Sequence, residues 1–343
     1  MQGRKMITIS LCMIVKNEAD ILARCLDTVC DLMDEIIIVD TGSNDGTKAI
    51  AARYTEKIYD FTWVHDFAAA RNFAFAQASG DYIYSADADE VLDDENRQRF
   101  RELKQVLSEE VEIVQMFYAN QLSFGTIYNY DRELRPKLFK RLRTFAWVEP
   151  IHETVRLEPV IFDSDIEIIH RPKGSHTARD IEAFERMIKK KEQLSKRLNN
   201  LYARELFVSG LDEDFRSAEA YFEEVAVNTD CTLGQIKEAS CVVARAARLR
   251  KDYAKFFKFA LKDVGSEGSS EICCELGYYY QERRDYHEAI VWFYNAAFET
   301  TSSLSLRCSG VIPLTALVEC YRLLGMDKVA DEYQEMIERI DRQ

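Results

Sequence analysis

The sequence predicts two units, an α/β unit built on a mostly parallel sheet and then an all-α unit of repeated helix pairs. Strand-like and helix-like segments alternate over the first 90 residues, which is the order that produces a parallel sheet with helices on its faces. Residues 173–312 contain no proline, and their apolar residues recur at helical spacing. We therefore expect a boundary near Gly174, with units at residues 1–173 and 174–343.

Four strands and three helices are predicted in the first 90 residues. The strands cover 7–15, 35–39, 57–60 and 82–85, and the helices cover 19–29, 48–54 and 67–78. In open sheets of this kind, ligands bind at the carboxyl ends of the strands. Asn17, Asp40 and Asp87 each follow a predicted strand, so we expect them at one edge of the sheet.

The remainder of the first unit is predicted to be less regular. Four of the five prolines lie in residues 136–172. Short apolar runs between turn signals predict strands at 111–118, 137–139, 155–157 and 166–169.

The second unit is predicted to consist of helix-turn-helix repeats. Residues 275–300 carry Leu276, Gly277, Tyr280 and Tyr286 in the pattern of a tetratricopeptide repeat. Looser copies cover 201–228, 239–264 and 314–340. An ordinary helical bundle is the alternative. The first helix is predicted to begin near Thr177.

The composition predicts a folded protein that does not bind nucleic acid. The chain has 343 residues, 47% of them hydrophobic, and a net charge of −14, which opposes binding to phosphate backbones and anionic lipid surfaces. Its nine cysteines show no metal-binding spacing and are typical of reduced thiols in a cytosolic protein. The apolar run from Met6 ends at Lys16 without a cleavage site, and no run approaches about 18 apolar residues. We therefore expect a cytoplasmic protein that is not integral to a membrane.

The segment from Gly80 to Glu90 is the most informative for function. A strand leads directly into Asp87 and Asp89, and their spacing puts both carboxylates on one side of the strand end, where they could hold one hard divalent cation. Such a cation would bridge the two phosphates of a nucleotide sugar and neutralise charge as the diphosphate leaves. The alternative is the acidic N-terminus of a helix, because Asp93, Asp94 and Glu95 follow.

Three other classes of site are excluded by sequence context. Asp40 to Ser43 spells an aspartic-protease signature, but it occurs once and ends a strand of a βα series, whereas that enzyme needs two copies in an all-β body. Asp87 to Val91 fits a haloacid-dehalogenase phosphatase motif, yet three strands precede it where that motif closes the first strand. A calcium loop would need glycine where Leu92 stands.

Four blocks of this sequence, in order, resemble the family 2 glycosyltransferases of GT-A fold. They are Ile9 to Glu18, Glu35 to Thr47, Asp66 to Ala74 and Gly80 to Glu90. The chain is most similar to the bacterial branch in which tetratricopeptide repeats follow the transferase domain, near the peptide S-glycosyltransferases of the sublancin type. The resemblance is dense over residues 7–95, sparser over 130–170 and only architectural beyond.

The resemblance assigns two groups of residues to the nucleotide sugar. Asn17, Glu18 and Asp40 would contact the uracil and ribose of a UDP-sugar, since a carboxylate at a strand end can accept the uracil imide proton. Arg71 and Asn72 would contact the diphosphate or position the metal-binding loop, because a guanidinium matches phosphate geometry. The alternatives are loop capping for the first group and a surface ion pair for Arg71.

The resemblance also implies a catalytic base near residue 150. The segment Phe145 to Glu153 is similar to an aromatic segment of the family that ends in His-Glu, but Val148, Glu149 and Pro150 differ from the family's usual sequence. An inverting displacement needs a carboxylate that takes the acceptor's proton. Glu153 is the first candidate and Glu149 the second, with a salt bridge at the rim as the alternative for either.

A third metal ligand is expected on a late strand or loop in GT-A enzymes. His170 is the first candidate and His152 the second, against a purely structural histidine. The basic run Arg135, Lys137, Lys140, Arg141 and Arg143 is either a contact to the leaving diphosphate or a solvated loop.

Together these features predict a metal-dependent, inverting glycosyltransferase that uses Mn²⁺ or Mg²⁺. It would transfer a sugar from a UDP-sugar to a nucleophile on a peptide, protein or saccharide, and its helical repeats would form a homodimer or an acceptor groove. The alternative is an interaction protein that binds nucleotide sugars without transfer and uses its repeats to bind partners.

Overall fold

The computed structural model describes residues 7–119, 132–141, 147–148, 154–155, 159–171, 177–191, 193–265 and 268–340. Contacts divide the chain into two compact units, Met1–Ser175 and His176–Gln343. The boundary predicted at Gly174 lies outside the described residues and stays a prediction.

The first unit alternates strands and helices as its sequence predicts. Its strands are β1 (Ile9–Val15), β2 (Glu35–Asp40), β3 (Ile58–Asp60), β4 (Tyr82–Ser85), β5 (Glu90–Val91), β6 (Ile113–Ala119), β7 (Glu133–Lys140), β8 (Trp147–Val148), β9 (Thr154–Val155) and β10 (Ile161–His170). Its helices are α1 (Leu22–Val29), α2 (Thr47–Ala51), α3 (Phe67–Ala76) and α4 (Asp94–Val106).

The strands form one large mixed sheet in the order β3-β2-β1-β4-β7-β6-β10-β5, and β8 pairs with β9 separately. β1 is parallel to both of its neighbours, β2 and β4, and β3 continues this parallel half beside β2. β7 is antiparallel to β4 and β6, and β5 is antiparallel to β10. The carboxyl ends of β1, β2 and β4 therefore meet at one edge, and the amino end of β7 reaches the same edge.

Both faces of the parallel half are buried. On one face, Leu11, Met13 and Val15 of β1 belong to the apolar core that includes Leu22 and Leu26 of α1. On the other, Cys12 and the β2 residues Ile37 and Val39 belong to the core that includes Ala74 and Phe75 of α3. Burial on both faces explains why these strands read as continuous apolar runs rather than as alternating ones.

Helix ends follow local capping chemistry. Asp66 caps α3 through a hydrogen bond from the Ala69 backbone nitrogen, at 2.9 Å. Asp93 caps α4 in the same way by accepting from Asn96, and Asp94 and Glu95 occupy the favourable first turn. The acidic stretch after Asp89 therefore opens a helix, as the alternative for this segment predicts.

The second unit is a series of helices, most of them joined by short connections; Asn295–Glu299 and Leu306–Ser309 form two further helical turns between α11 and α12. The helices are α5 (Thr177–Lys189), α6 (Lys196–Ser209), α7 (Asp212–Val227), α8 (Leu233–Leu249), α9 (Tyr253–Val264), α10 (Ser270–Glu282), α11 (Tyr286–Tyr294), α12 (Val311–Leu323) and α13 (Asp327–Ile340). The four predicted repeats correspond to the pairs α6/α7, α8/α9, α10/α11 and α12/α13. The predicted fold class, an α/β unit of GT-A type followed by a helical tetratricopeptide-like unit, is confirmed.

The packing inside one repeat explains its sequence pattern. Phe293 of α11 is fully buried in a core with Ala289 of the same helix and Leu317 of α12. Gly277 of α10 lies against the Phe293 ring, where an added Cβ would be only 2.5 Å from the nearest ring atom. Within the described ranges, no helix has the length and apolarity needed to cross a bilayer.

Candidate functional site

The loops that follow β1 and β2 are tied together at the carboxyl edge of the sheet. The Asn17 backbone nitrogen donates to Ser43 Oγ at 2.9 Å, and the Asn44 nitrogen donates to Asn17 Oδ1 at 2.9 Å. Asn17 adopts a positive φ of 57°, which an asparagine tolerates. The described contacts of Asn17 are thus those of the loop-capping alternative.

Glu18 lies beside Asn17 at the start of the turn into α1. Its backbone nitrogen donates to Thr47 Oγ1 at 2.8 Å, and its carbonyl accepts from Ile21 and Leu22. This turn explains why α1 begins at Leu22, three residues later than the spacing predicts.

Asp40 ends β2 and is 1% exposed. Its Oδ1 accepts hydrogen bonds from the Gly42 and Ser43 nitrogens, both at 2.9 Å, across a tight turn in which Gly42 has a φ of 103°. Its Oδ2 is buried and has no hydrogen-bond partner among the described residues. Burying a carboxylate oxygen without a hydrogen-bond donor lowers the stability of the fold. Asp40 Oδ2 is therefore placed to accept a hydrogen bond from a ligand.

Asp87 is bound to Arg71 of α3. The guanidinium donates from Nη2 to Asp87 Oδ1 and from Nη1 to Ser85 Oγ, each at 2.9 Å. Burial alone would raise the pKa of Asp87, but the positive charges of Arg71 and Lys137 outweigh it and hold the pKa well below its usual range. These charges favour the ionised form of Asp87, and Arg71 is engaged inside the site rather than in an ordinary surface pair. Asn72, the next residue of α3, is partly buried.

Asp89 contacts His170 at the end of β10. Asp89 Oδ2 and His170 Nε2 are 3.1 Å apart. The Arg171 backbone nitrogen donates to the Asp89 carbonyl at 2.8 Å, and Arg24 of α1 donates to the Arg171 carbonyl at 2.5 Å. The contact between Asp89 and His170 joins residues that are 81 positions apart in sequence.

The two aspartates do not share one side of a strand, which differs from the sequence expectation. β4 ends at Ser85, before either carboxylate, and residues 86–89 turn back toward β5. Alternation of side chains applies only to an extended strand, so Asp87 faces Arg71 while Asp89 faces His170.

The donor set at Asp89 fits a divalent cation. Asp89 Oδ1 is buried and has no hydrogen-bond partner in the described part of the chain. A carboxylate that contacts an imidazole nitrogen through one oxygen and keeps its other oxygen available is a combination that Mn²⁺ accepts, with further positions for phosphate or water oxygens. No group of three or more His, Cys, Asp or Glu side chains among the described residues could hold a metal ion by itself. The described side chains therefore supply two ligands here, Asp89 and His170.

A second layer of charge lies under Asp87 and Asp89. Glu90 of β5 is 2% exposed and forms an ion pair with the buried Lys137 of β7. Burial raises the pKa of Glu90 to about 7, although Lys137 opposes the shift. The Tyr118 ring of β6 lies against the His170 ring, with centroids 5.1 Å apart, and the Arg135 guanidinium lies 4.0 Å from the Tyr118 centroid.

The predicted basic run does not form one surface. Arg135 pairs with Glu133, and Lys137 points to Glu90, both near the carboxyl edge. Lys140 and Arg141 bind the carbonyls of Glu109 and Gly80 toward the opposite end of the sheet. Arg143, His152 and the candidate bases Glu149 and Glu153 lie outside the described residues.

Glu90 and Tyr118 are site residues that the sequence reasoning missed. Glu90 carries no distinct signal, because it follows Asp89 in a stretch where acidic residues are frequent. Tyr118 carries no such signal, because an aromatic residue in a predicted strand is ordinary.

Comparison with known proteins identifies the first unit. Residues 10–157 match the family described as glycosyl transferase family 2. The resemblance drawn from the four sequence blocks is confirmed.

Similar proteins share only part of their length with this chain. A TPR repeat-containing protein of Synechococcus elongatus is 40% identical over 153 residues, which are 45% of this chain and 36% of the relative. The SPbeta prophage-derived glycosyltransferase SunS of Bacillus subtilis is 28% identical over 219 residues, 60% of this chain and 51% of the relative. The chain thus spans about a third to a half of the length of these curated relatives.

Solved structures align at a lower level. Glucosyl-3-phosphoglycerate synthase of Mycobacterium tuberculosis, in complex with Mn²⁺ and UDP-glucose, aligns with a TM-score of 0.38 and 14% identity, over 55% of this chain and 81% of that one.

Proposed function

We propose that the family 2 glycosyltransferase domain at residues 10–157 transfers a sugar from a UDP-sugar to an acceptor nucleophile, with a divalent cation and with inversion at the anomeric carbon. The observation that carries the proposal is the pair of Asp89 and His170, with one buried Asp89 oxygen left without a protein partner in the described chain. The adjoining pair of Asp87 and Arg71 supplies fixed charges of both signs.

Mn²⁺ or Mg²⁺ would be held by Asp89 and His170 with oxygens of phosphate or water. Asp87, which the sequence also predicts as a ligand, is bound to Arg71 and does not form a three-ligand group with them among the described residues. When bound, the cation would neutralise the negative charge that develops on the diphosphate as it leaves. Arg71 holds Asp87 in position through one hydrogen bond to its carboxylate and a second to the neighbouring Ser85 hydroxyl, and it adds a second positive charge near the same phosphates.

The nucleotide would lie along the carboxyl edge. Asp40 Oδ2, which has no partner among the described residues, can accept a hydrogen bond from the uracil imide N–H, and Asn17 and Glu18 border the same loop cluster. Asn72 follows Arg71 and is a further candidate contact to the nucleotide sugar.

The base is proposed from sequence chemistry alone. Glu153, or else Glu149, would take the acceptor's proton as its nucleophile attacks the sugar. The acceptor would be a peptide, protein or saccharide, and the helical unit would bind it or form a homodimer, in the bacterial cytoplasm.

A nucleotide-binding assay tests the metal role. We expect UDP to raise the melting temperature of the protein strongly with Mn²⁺ and weakly with EDTA, because binding to the native state stabilises it. Asp89→Ala should remove the Mn²⁺-dependent part of the shift while leaving the fold intact. Asp81→Asn is the matched control, since Asp81 binds Thr8 at the opposite end of β4. Equal UDP binding with and without chelator in the wild-type protein would contradict the proposal.

Turnover of the UDP-sugar separates transfer from binding. Glu153→Gln should keep UDP affinity and lower the transfer rate by about 100- to 10,000-fold, the range typical of lost general-base assistance. A larger loss in Glu149→Gln would move the assignment to Glu149. Tight Mn²⁺-dependent binding with no transfer to any peptide or saccharide would favour the non-catalytic interaction protein.

A further inference from the structure

Lys137 occupies an irregular position in the sheet. Consecutive residues Val114 and Gln115 of β6 pair with Leu138 and Pro136 of β7, so that Lys137 is the extra residue of a bulge. A bulge redirects the side chain of its extra residue, and bulges are common beside active sites. The redirected Lys137 is 6% exposed and forms an ion pair with Glu90.

Glu90 is joined by its backbone to the end of β10. The two-residue ladder between β5 and β10 pairs Glu90 with His170 and Val91 with Ile169. The Arg171 nitrogen donates to the Asp89 carbonyl at the end of this ladder. Any displacement of Glu90 therefore moves Asp89 on one side and His170 on the other.

The Tyr118 ring contacts both His170 and Lys137. It lies 5.1 Å from the His170 ring and 5.2 Å from Lys137 Nζ, measured to the ring centroid. Lys137 thus reaches His170 by two routes, one through Glu90 and its ladder and one through Tyr118. We refer to Glu90, Tyr118 and Lys137 as the Lys137 support.

We propose that the Lys137 support is a positioning device that fixes the distance and orientation between Asp89 and His170, and that Lys137 is not a contact to the leaving diphosphate. The inference rests on the proposed function, because it assigns the support to the cation site of that function. Its physical basis is that a buried lysine and a buried carboxylate neutralise each other. Moving either one away leaves the other as a buried charge without a partner, which strongly destabilises the fold. Groups that orient metal ligands from behind typically change metal affinity by about 10- to 100-fold when replaced.

The test measures Mn²⁺ affinity by electron paramagnetic resonance, with and without UDP, together with UDP affinity in EDTA. For Lys137→Met we expect Mn²⁺ affinity in the presence of UDP to fall at least about tenfold, with UDP affinity in EDTA unchanged. Lys137→Arg keeps the charge and should recover most of the affinity. Tyr118→Leu removes the ring contact and leaves the ion pair of Lys137 with Glu90 in place. It should also weaken Mn²⁺ binding, so it provides the test if Lys137→Met does not fold.

Lys57→Met is the matched control. Lys57 pairs with Glu35 at the start of β2, near the opposite edge of the same sheet. This variant should lose stability but keep Mn²⁺ affinity within about twofold of the wild type, which separates a general loss of an ion pair from a loss of positioning.

Three results would overturn the inference. Mn²⁺ affinity in folded Lys137→Met or Tyr118→Leu that matches the wild type would make the support merely structural. A fall of UDP affinity in EDTA for Lys137→Met would make Lys137 a diphosphate contact. A wild-type protein that binds neither Mn²⁺ nor UDP would overturn the proposed function as well, whereas normal wild-type binding with unaffected variants overturns the inference alone.

Discussion

At the scale of single residues, Glu35 stabilises the edge of the sheet opposite the candidate site. It accepts hydrogen bonds from Ser10, from Lys57 and from both the nitrogen and the hydroxyl of Ser79. Burial acts to raise the pKa of Glu35, but these donors outweigh it and lower the pKa from 4.5 to about 2. The ionised carboxylate is therefore more stable in the folded chain than in the unfolded one.

This shift predicts a pH-dependent stability for Glu35→Gln. Because the folded pKa is depressed, the stabilisation is fully present above about pH 4.5 and is lost as the pH falls toward 2. At pH 7 we expect the free energy of unfolding of the variant to be about 1–3 kcal/mol lower than that of the wild type, the range for lost hydrogen bonds to charged groups. The difference should shrink between pH 5 and pH 3 in urea titrations. Glu56→Gln, at an exposed position, should differ from the wild type by less than about 0.5 kcal/mol at every pH.

At the scale of elements, the contact between α10 and α11 depends on a missing side chain. A Cβ on Gly277 would meet three atoms of the Phe293 ring at 2.5–2.8 Å, and this ring is fully buried. Gly277→Ala gains at most about 1 kcal/mol of helix propensity, while overpacking of this kind costs about 1–3 kcal/mol. We therefore expect a net loss of stability in thermal unfolding.

Gly234→Ala is the control for this prediction. Gly234 also lies in a helix, α8, but an added Cβ there would have no atom within 4 Å. The variant should be neutral or slightly stabilised. Equal melting temperatures for the two alanine variants would mean that α10 and α11 accommodate the added Cβ at residue 277 without loss of stability. Gly277 would then have no packing role.

Elements could be predicted from the sequence where their signal is local. The run Tyr82–Ser85 is a strand in both prediction and structure, because its apolar residues are consecutive and its ends carry turn signals. The helix pairs were predicted from apolar residues that recur at helical spacing within each segment, which is also a local signal. By contrast, the ion pair of Lys137 with Glu90 spans 47 positions, and the bulge that directs Lys137 depends on the register between β6 and β7. Periodicity within one segment contains no information on such a register.

At the scale of the whole molecule, the chain forms two compact units. All the proposed donor-binding residues that the structure describes lie in the unit Met1–Ser175, and the helix pairs lie in the unit His176–Gln343. Repeat arrays of paired helices form extended binding surfaces. We infer that the second unit supplies dimer contacts or an acceptor groove rather than catalysis.

A protein that ends at Ser175 tests this division. It should bind UDP with Mn²⁺ as the full chain does, because none of the proposed donor ligands is removed. It should lose the oligomeric state of the full chain in sedimentation, or lose transfer to acceptors that the full chain modifies. A shortened protein with the same oligomeric state and undiminished transfer would contradict the inference.

The pairing of β5 with β10 also has a consequence for synthesis of the chain, because its two strands are made at different times. Asp89 leaves the ribosome 81 residues before His170, and synthesis proceeds at about 5–20 residues per second. For several seconds the growing chain therefore has both aspartates but neither the histidine nor the strand that holds the Asp89 backbone. The proposed cation site can therefore form only when the last strand of the sheet has been made.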